Sequence, residues 1–541
     1  MSHISTLQKI IDSNSRRVLH VLTRLDDYKS LIMALSEHDI PHLQHILTYT
    51  GDDLDMAILV YQLGGRALLH AFSHHLALPS LCTLQAHQNF TSITPTISPI
   101  TPDQLDSNIK NLILNPLAHS SSLPHHGYSV LMDDIALEER ASHHCASNSI
   151  IGLCHSHSHL IDPFLHTYDS TLRIAEKLAD GKVHLGKEMS VIAMGAFGDD
   201  EIFPVLATPT CKCEDSEKMI MIFTLVRDHW KETGAEEQLG PIFSFATDRD
   251  STRRAAGHRL FLKNELSVMS KLYGTLSHMQ GLNLATGDGE ITLDFDYKHI
   301  FKHEFFIEHN LSFLYLQLYY IGWCTLLCNC KGMKLVHGHS INSAVLARYL
   351  LWLPDQDETS ILKLLNPDDP QDVPCAIELM QAIIALSKNK FDTATLCVGE
   401  CADIAAIKVL GAILESILLP FIDITLSLHQ QIAHLSRYTH LIFMFFHLHH
   451  STFMPHMLYY DSQTMVKNAC FCIAKQQKLD RSQKFWLIQT GGNCLEKLFS
   501  ITHMRGQHNL AMNYLQALDC IGAAKNINTI FKKHPDLESG S

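Results

Sequence analysis

Residues 128–140 read YSVLMDDIALEER, an apolar run that stops on two adjacent aspartates, Asp133 and Asp134. A short unbroken apolar run is the pattern of a strand covered on both faces, and the C-terminal edge of such a strand is where an α/β protein tends to place its reactive groups. Taken alone, the pair also suits a solvated turn. The rest of the chain decides between the two.

Working outward, EMSVIAMGAFG (188–198), IFPVLATPT (202–210) and IFSFATD (242–248) read as further strands, with EKMIMIFTLVRDHW between the last two as a helix. The alternation predicts the first part of an α/β domain over 126–302, and ITLDFDYKHIFK (291–302) is its last strand-to-helix passage. From 303 to 455 the texture is helical: INSAVLARYLLWL, PCAIELMQAIIALS, IAAIKVLGAILESILL and LHQQIAHLSRYTHLIFMFFHLHH are apolar on at least one face and separated by Pro or Asp-rich breaks. Over 456–530, DSQTMVKNACFCIAKQQ opens on an Asp-Ser pair suited to capping a helix, and NCLEKLFSITHMRGQHN places Leu495, Leu498, Phe499 and Ile501 on one side of another. On the N-terminal side, apolar residues recur at helical spacing from 18 to 35, and LDMAILVYQLGGRALLHAF (54–72) is a second helical stretch broken at Gly64-Gly65. Residues 1–85 thus form a small helical module, 86–125 a linker marked by FTSITPTISPITPDQ, and 531–541 a tail. No internal repeat is visible.

The 541 residues are 46% apolar and 18% charged, which fits a globular chain and excludes wholesale disorder. A net charge of −14 gives no global field for nucleic acid, so any DNA contact must use local patches. Fifteen cysteines behind a polar N-terminus point to free thiols in an intracellular reducing compartment rather than a secreted disulfide framework. LSFLYLQLYYIGWCTLLC (311–328) is uncharged over the length of a membrane span, but no second span returns the chain, so it reads as buried and no membrane is expected.

Three acids stand out by context: Asp133 and Asp248, each at the end of a strand, and Glu496 on a late helix. Two strand-end aspartates and a helix-borne glutamate are the carboxylate set of RNase H-like nucleotidyl transferases. That chemistry needs hard oxygen ligands, because two divalent ions about 3.5–4 Å apart activate the attacking oxygen and stabilise the leaving one. At these residues the chain resembles transposases of the P-element type: MDDIALEE resembles the strand of the first catalytic Asp, FATDRDSTRR the second, FDYKHIFK the passage into their insertion domain, and CLEKLFSITHMRGQHN the Glu helix with its Gly-His-Asn turn. Residues 15–85 and 125–530 also resemble a large family of transposase-derived proteins of mushroom-forming fungi, through GPIFSFATDRDSTRRAAGHRLFLKNEL and LARYLLWLPDQDETSILKLLNPDDPQDVP.

The resemblance implies an RNase H-like domain interrupted by a helical insertion. It further implies Asp133, Asp248 and Glu496 as catalytic and metal-binding residues, Asp134 as an adjacent ligand, two Mg²⁺ or Mn²⁺ ions, DNA as partner, possible homo-oligomers and a nuclear location. A relic of the same fold without catalysis, acting as an interaction scaffold, is the alternative. The chain departs from the family at Arg249, where Gly follows the second Asp, and at Gln507 in the turn Gly506-Gln507-His508-Asn509. EFFIEHNLSFLYLQLYYIGW (304–323) is an extra segment, and the Cys/His array of P-element relatives is missing before the linker.

Other signals are weaker. Arg253 and Arg254 follow Asp248 in a basic run, and with Lys298, Lys302, His508 and Asn509 they are candidate DNA contacts. Asn389, Lys390 and Asp392 in NKFD match a guanine-reading signature, yet no phosphate loop accompanies them, so GTP is not expected. CHSHSH (154–159) would line up His155, His157 and His159 if it were a strand, and Cys211, Cys213, Cys324, Cys328 and Cys330 have no partner at zinc-finger spacing. Zinc is therefore not expected either.

Overall fold

The computed structural model describes residues 49–537 except 77, 88–89, 91, 118–124, 249, 303–321, 368, 370–371, 392–395 and 506–511. The helical repeat at 18–35, Arg249, Asp392, the Gly506–Asn509 turn and almost all of the extra segment lie outside the described residues. The chain forms two compact units, Met1–Thr91 with Gly522–Ser541, and Ser92–Ile521.

In the smaller unit, helix α1 (Gly51–Leu76) kinks at Gly65, whose φ of 73° is outside helical space. This is where the Gly-Gly pair predicts a break. Asp55, 5% exposed, receives Lys533 at 3.0 Å and His534 at 3.4 Å, so its buried charge is paired.

The larger unit is built on a five-stranded mixed sheet. Its strands are β1 (Tyr128–Ala136), β2 (Glu188–Ala196), β3 (Ile202–Thr210), β4 (Ile242–Thr247) and β5 (Thr292–Phe295), in spatial order 3-2-1-4-5. β1, β2 and β3 form an antiparallel meander, and β4 and β5 add to it parallel to β1. Every residue of β3 is buried although it is an edge strand. Its two prolines, Pro204 and Pro209, are tolerated because an edge strand can lack a ladder donor.

What covers that edge corrects the linker reading. Thr101 caps and Pro102 opens helix α2 (Pro102–Ile109), which continues through Lys110–Leu114 with Leu105, Ile109, Leu112, Ile113 and Leu114 buried. Asn108 Nδ2 donates to the Val205 carbonyl at 2.9 Å and Thr96 Oγ1 to that of Ala207 at 3.1 Å, so side chains satisfy acceptors that a partner strand would otherwise use. The Ser/Thr/Pro composition serves capping and edge cover here, not a free tether.

β4 carries a bulge. Tyr128 pairs with Ile242 but Ser129 with Ser244, which leaves Phe243 over. Phe245 then packs on Phe223 of α3 (Ser216–Glu232) and Phe261 of α4 (Ser251–Phe261), whereas Phe243 joins Phe197 and Cys472. The Phe243 carbonyl is met by Lys475 Nζ at 2.8 Å and Thr292 Oγ1 at 3.3 Å. Burial drives the Lys475 ammonium down to about 8.

After β5 and the short helix α5 (Tyr297–Phe301), the described residues are mainly helical: beyond a two-stranded pairing of Met333–Lys334 with Ser340–Ile341 come Ser343–Leu350, α6 (Val373–Lys388), α7 (Val398–Ile422), α8 (Leu428–His449) and α9 (His456–Leu479). Trp323, fully buried, donates its indole N–H to Tyr438 of α8 at 3.0 Å. Among the described residues one helix, α7, is long and apolar enough to cross a membrane, and 67% of its most apolar window is buried in the protein. The capping role expected for Asp461-Ser462 is a second correction, because α9 begins five residues earlier and buries both. Asp461 takes a two-pronged ion pair from Arg254 at 3.2 and 2.9 Å, and Ser462 receives the Tyr438 hydroxyl at 3.0 Å. Tertiary partners override the local capping preference.

Candidate functional site

Sheet register brings the acids together. Met132 pairs with Thr247 and Thr247 with Phe295, so one step further along three parallel strands puts Asp133, Asp248 and Asp296 in one row. Adjacent strands are about 4.8 Å apart. The following helix, α10 (Asn493–Arg505), packs against β1 and carries Glu496 in its first turn. Asp296, His299 and Glu496 each offer a ligand atom within 4.8 Å of the others.

Asp133 and Asp134 have different surroundings, as strand alternation requires. Asp134 accepts Ser190 Oγ from β2 at 2.6 Å and Arg253 Nη2 at 2.5 Å, and with Ser190, Thr208, Lys212 and Glu214 it lines a cavity of about 100 Å³. Burial raises the Asp133 carboxyl to about 7, and the negative charge of Asp248 adds to the rise. The N–H of Asp134 and the charges of His299 and Arg253 oppose it. Asp133 therefore feels both the strand-end acid beside it and the imidazole of the Glu496 cluster.

Asp296 is 2% exposed. Burial pushes its carboxyl up, but hydrogen bonding and charge from His299, with the Lys298 N–H and ammonium, outweigh this and hold it below the ordinary range. Asp294, two residues earlier and fully buried, is raised to about 7 by burial despite the Gly491 and Phe295 N–H groups it accepts. Neither residue is singled out in the sequence reading, where FDYKHIFK serves only as a passage. The signal was the alternation Asp294-Phe295-Asp296, two acids on one side of a strand end.

The basic candidates are internal. Arg253, 3% exposed, spans two acids, with Nη1 3.0 Å from Asp248 Oδ1 and Nη2 on Asp134. Arg254 is locked to Asp461. Arg253 is buried and Arg254 half-buried, and in this structure both guanidiniums engage carboxylates within the protein. Lys298 Nζ meets Glu496 Oε2 at 2.7 Å, and Lys302 Nζ is 3.9 Å from Oε1. His508 and Asn509 lie outside the described residues. Asn389 and Lys390 are exposed beyond α6, and Asn389 Oδ1 accepts the Lys390 N–H at 3.0 Å.

CHSHSH is a turn rather than a strand, so its histidines diverge: His155 pairs with Glu214 at 2.9 Å, His159 is exposed, and His157 turns toward Cys154, Cys211 and Cys213. Cys324 and Cys328 sit 4.0 Å apart.

No family model matches the chain, and no curated protein matches it by sequence. In structure it is similar to the Drosophila P element transposase, solved as a strand transfer complex: the TM-score is 0.51 at 11% identity, covering 91% of this chain and 93% of the other. The mixed α/β architecture is therefore transposase-like.

Proposed function

We propose that this chain is a transposase-derived protein whose sheet is an RNase H-like core interrupted by the helical segment, and whose Asp133, Asp248 and Glu496 form a metal-dependent site for cleaving or joining DNA strands. The observation that carries this reading is the row of Asp133, Asp248 and Asp296 with Glu496 beside the last. The 3-2-1-4-5 strand order, the helical segment between Asp248 and Glu496, and the likeness to a strand-transfer transposase support it. DNA as substrate implies a nuclear location.

The residues suit a hard divalent ion. Burial and the nearby charge of Asp248 raise the Asp133 carboxyl, a cost that a cation would relieve, and a His299 nitrogen beside two carboxylates suits Mn²⁺ better than Mg²⁺. Divalent ions bound there supply charge neutralisation at the attacking and leaving oxygens of phosphodiester exchange. Asp133 must shed a proton to serve as a ligand, so metal affinity rises as pH passes about 7. Lys298 must leave Glu496 for that carboxylate to ligate, which frees an ammonium where a phosphate would lie.

A second reading, a non-catalytic scaffold, is favoured by Arg253 and Lys298, since each neutralises an acid of the set in this structure. Calorimetric titration of Mn²⁺ into the full chain, with a plasmid-nicking assay in the same buffer, separates the two. Binding weakened at least about tenfold by Asp248→Asn and by Glu496→Gln, with nicking lost in both, is the expected result. Binding without nicking selects the scaffold. No saturable binding in the wild-type chain ends the metal-site reading.

A further inference from the structure

The structure assigns a second, separate metal site: we propose that Cys154, His157, Cys211 and Cys213 bind one structural zinc ion. The four ligand atoms all lie within 4.8 Å of one another. His157 Nδ1 is 3.5 Å from Cys154 Sγ, 3.7 Å from Cys211 Sγ and 3.8 Å from Cys213 Sγ. With Zn–S near 2.3 Å and Zn–N near 2.05 Å, a tetrahedral centre places N and S about 3.5 Å apart, so these separations are the edges of a zinc tetrahedron. Three thiols converge on one imidazole nitrogen. A disulfide would use two of them and leave the third without a role.

Local backbone sets each half of the site. Cys211 follows the last residue of β3, and Lys212, at φ 62°, reverses the chain so that Cys211 and Cys213 lie on the same side of it; a non-glycine residue adopts that conformation only when its surroundings impose it. The Lys212 N–H donates to Thr210 Oγ1 at 2.9 Å, which closes the reversal. On the other half, the Cys154 carbonyl accepts the N–H groups of His157 and Ser158, both at 3.0 Å, and this turn carries His157 back over Cys154. One further contact ties the halves together, the His155 N–H on the Pro209 carbonyl at 3.0 Å, while the Cys154 N–H is held by the His184 carbonyl at 2.8 Å. The Cys-x₂-His and Cys-x-Cys pairs are thus preformed knuckles far apart in sequence. Four protein ligands leave no open position, which is the composition of a structural centre rather than a catalytic one. Its effect is to fasten the end of edge strand β3 to the excursion between β1 and β2, next to the cavity that Lys212 and Asp134 line.

The test uses the untagged full chain, purified from zinc-replete cells without chelator. The expected results are about one equivalent of zinc per chain by mass spectrometry and, after exchange with Co²⁺, a thiolate-to-cobalt charge-transfer absorption with strong tetrahedral ligand-field bands. Cobalt on Asp296, His299 and Glu496 gives no thiolate absorption, so the spectrum separates the two sites whatever the activity. The double variant C211S/C213S should lose zinc and the charge-transfer band, while C145S, at an exposed cysteine outside the cluster, keeps both. If the double variant fails to fold, thiol titration of the wild type decides: Cys213 should react slowly as purified and rapidly after chelation. Zinc at background with no charge-transfer band overturns the proposal, and so does a Cys154–Cys211 disulfide in the purified chain.

Discussion

Burial and the neighbouring charge of Asp248 hold the Asp133 carboxyl near 7, against an ordinary value near 4. Between those values the folded chain keeps a proton that the unfolded chain has released, so stability falls as pH rises through the window, and the cost is complete above about 7. At full strength the displacement would cost about 4 kcal/mol; Asp133 is half-buried and solvent screens it in part, so about 1–2 kcal/mol is expected. Asp133→Asn should therefore unfold at higher urea than wild type at pH 8, with the gap shrinking toward pH 5. Saturating Mn²⁺ at pH 8 should reverse the order if the carboxylate is a ligand. Equal midpoints at pH 8 without metal would mean that Asp133 ionises normally. The neighbouring Asp134 is tied to Ser190 and Arg253, a division of labour that alternation along the strand foretells but that the letters DD alone do not assign.

At the scale of elements, Glu496 owes its position to the turn before α10. Gly491 has φ 75°, donates its N–H to Asp294 Oδ2 at 2.8 Å, and leaves so little room that an added Cβ would meet Asp296 Cα at 2.9 Å. Gly491→Ala should cost about 1–3 kcal/mol in urea unfolding and weaken Mn²⁺ binding, because it forces the Glu496 turn away from Asp296. Unchanged stability and binding would show that the turn does not set the site. The strands and the helix-borne Glu were legible because apolar runs and periodicity are local. Two boundaries were not. The 92–114 segment has the composition of a tether, and only the open edge of β3 turns it into cover. The start of α9 was hidden because Asp461 resembles a cap, while its partner Arg254 lies 207 residues earlier.

Across the whole molecule, the order of α/β and helical texture was readable, whereas contacts between distant segments were not. Cys154 and Cys211 become neighbours only through the pairing of β2 with β3 and the loops that leave it. The place of Arg253 between two acids is likewise set by the sheet. The widest such consequence belongs to α9. Along one side, Asn468, Cys472, Lys475 and Gln476 bind the sheet layer, through Thr292, Phe243 and the Gly127 N–H. Along another, Leu458, Met465 and Ala469 belong to the helical core. Neither layer can lose α9 and keep its own interior dry, so the helical part should not melt ahead of the sheet. Hydrogen exchange should find the amides of 466–475 protected to the global limit, and calorimetry a single transition for residues 92–521; early exchange there would instead mark two layers that part independently. If α9 is the shared spine, the split in the sequence between α/β and helical halves is not a mechanical seam, and a protease should find no cut that frees one half intact.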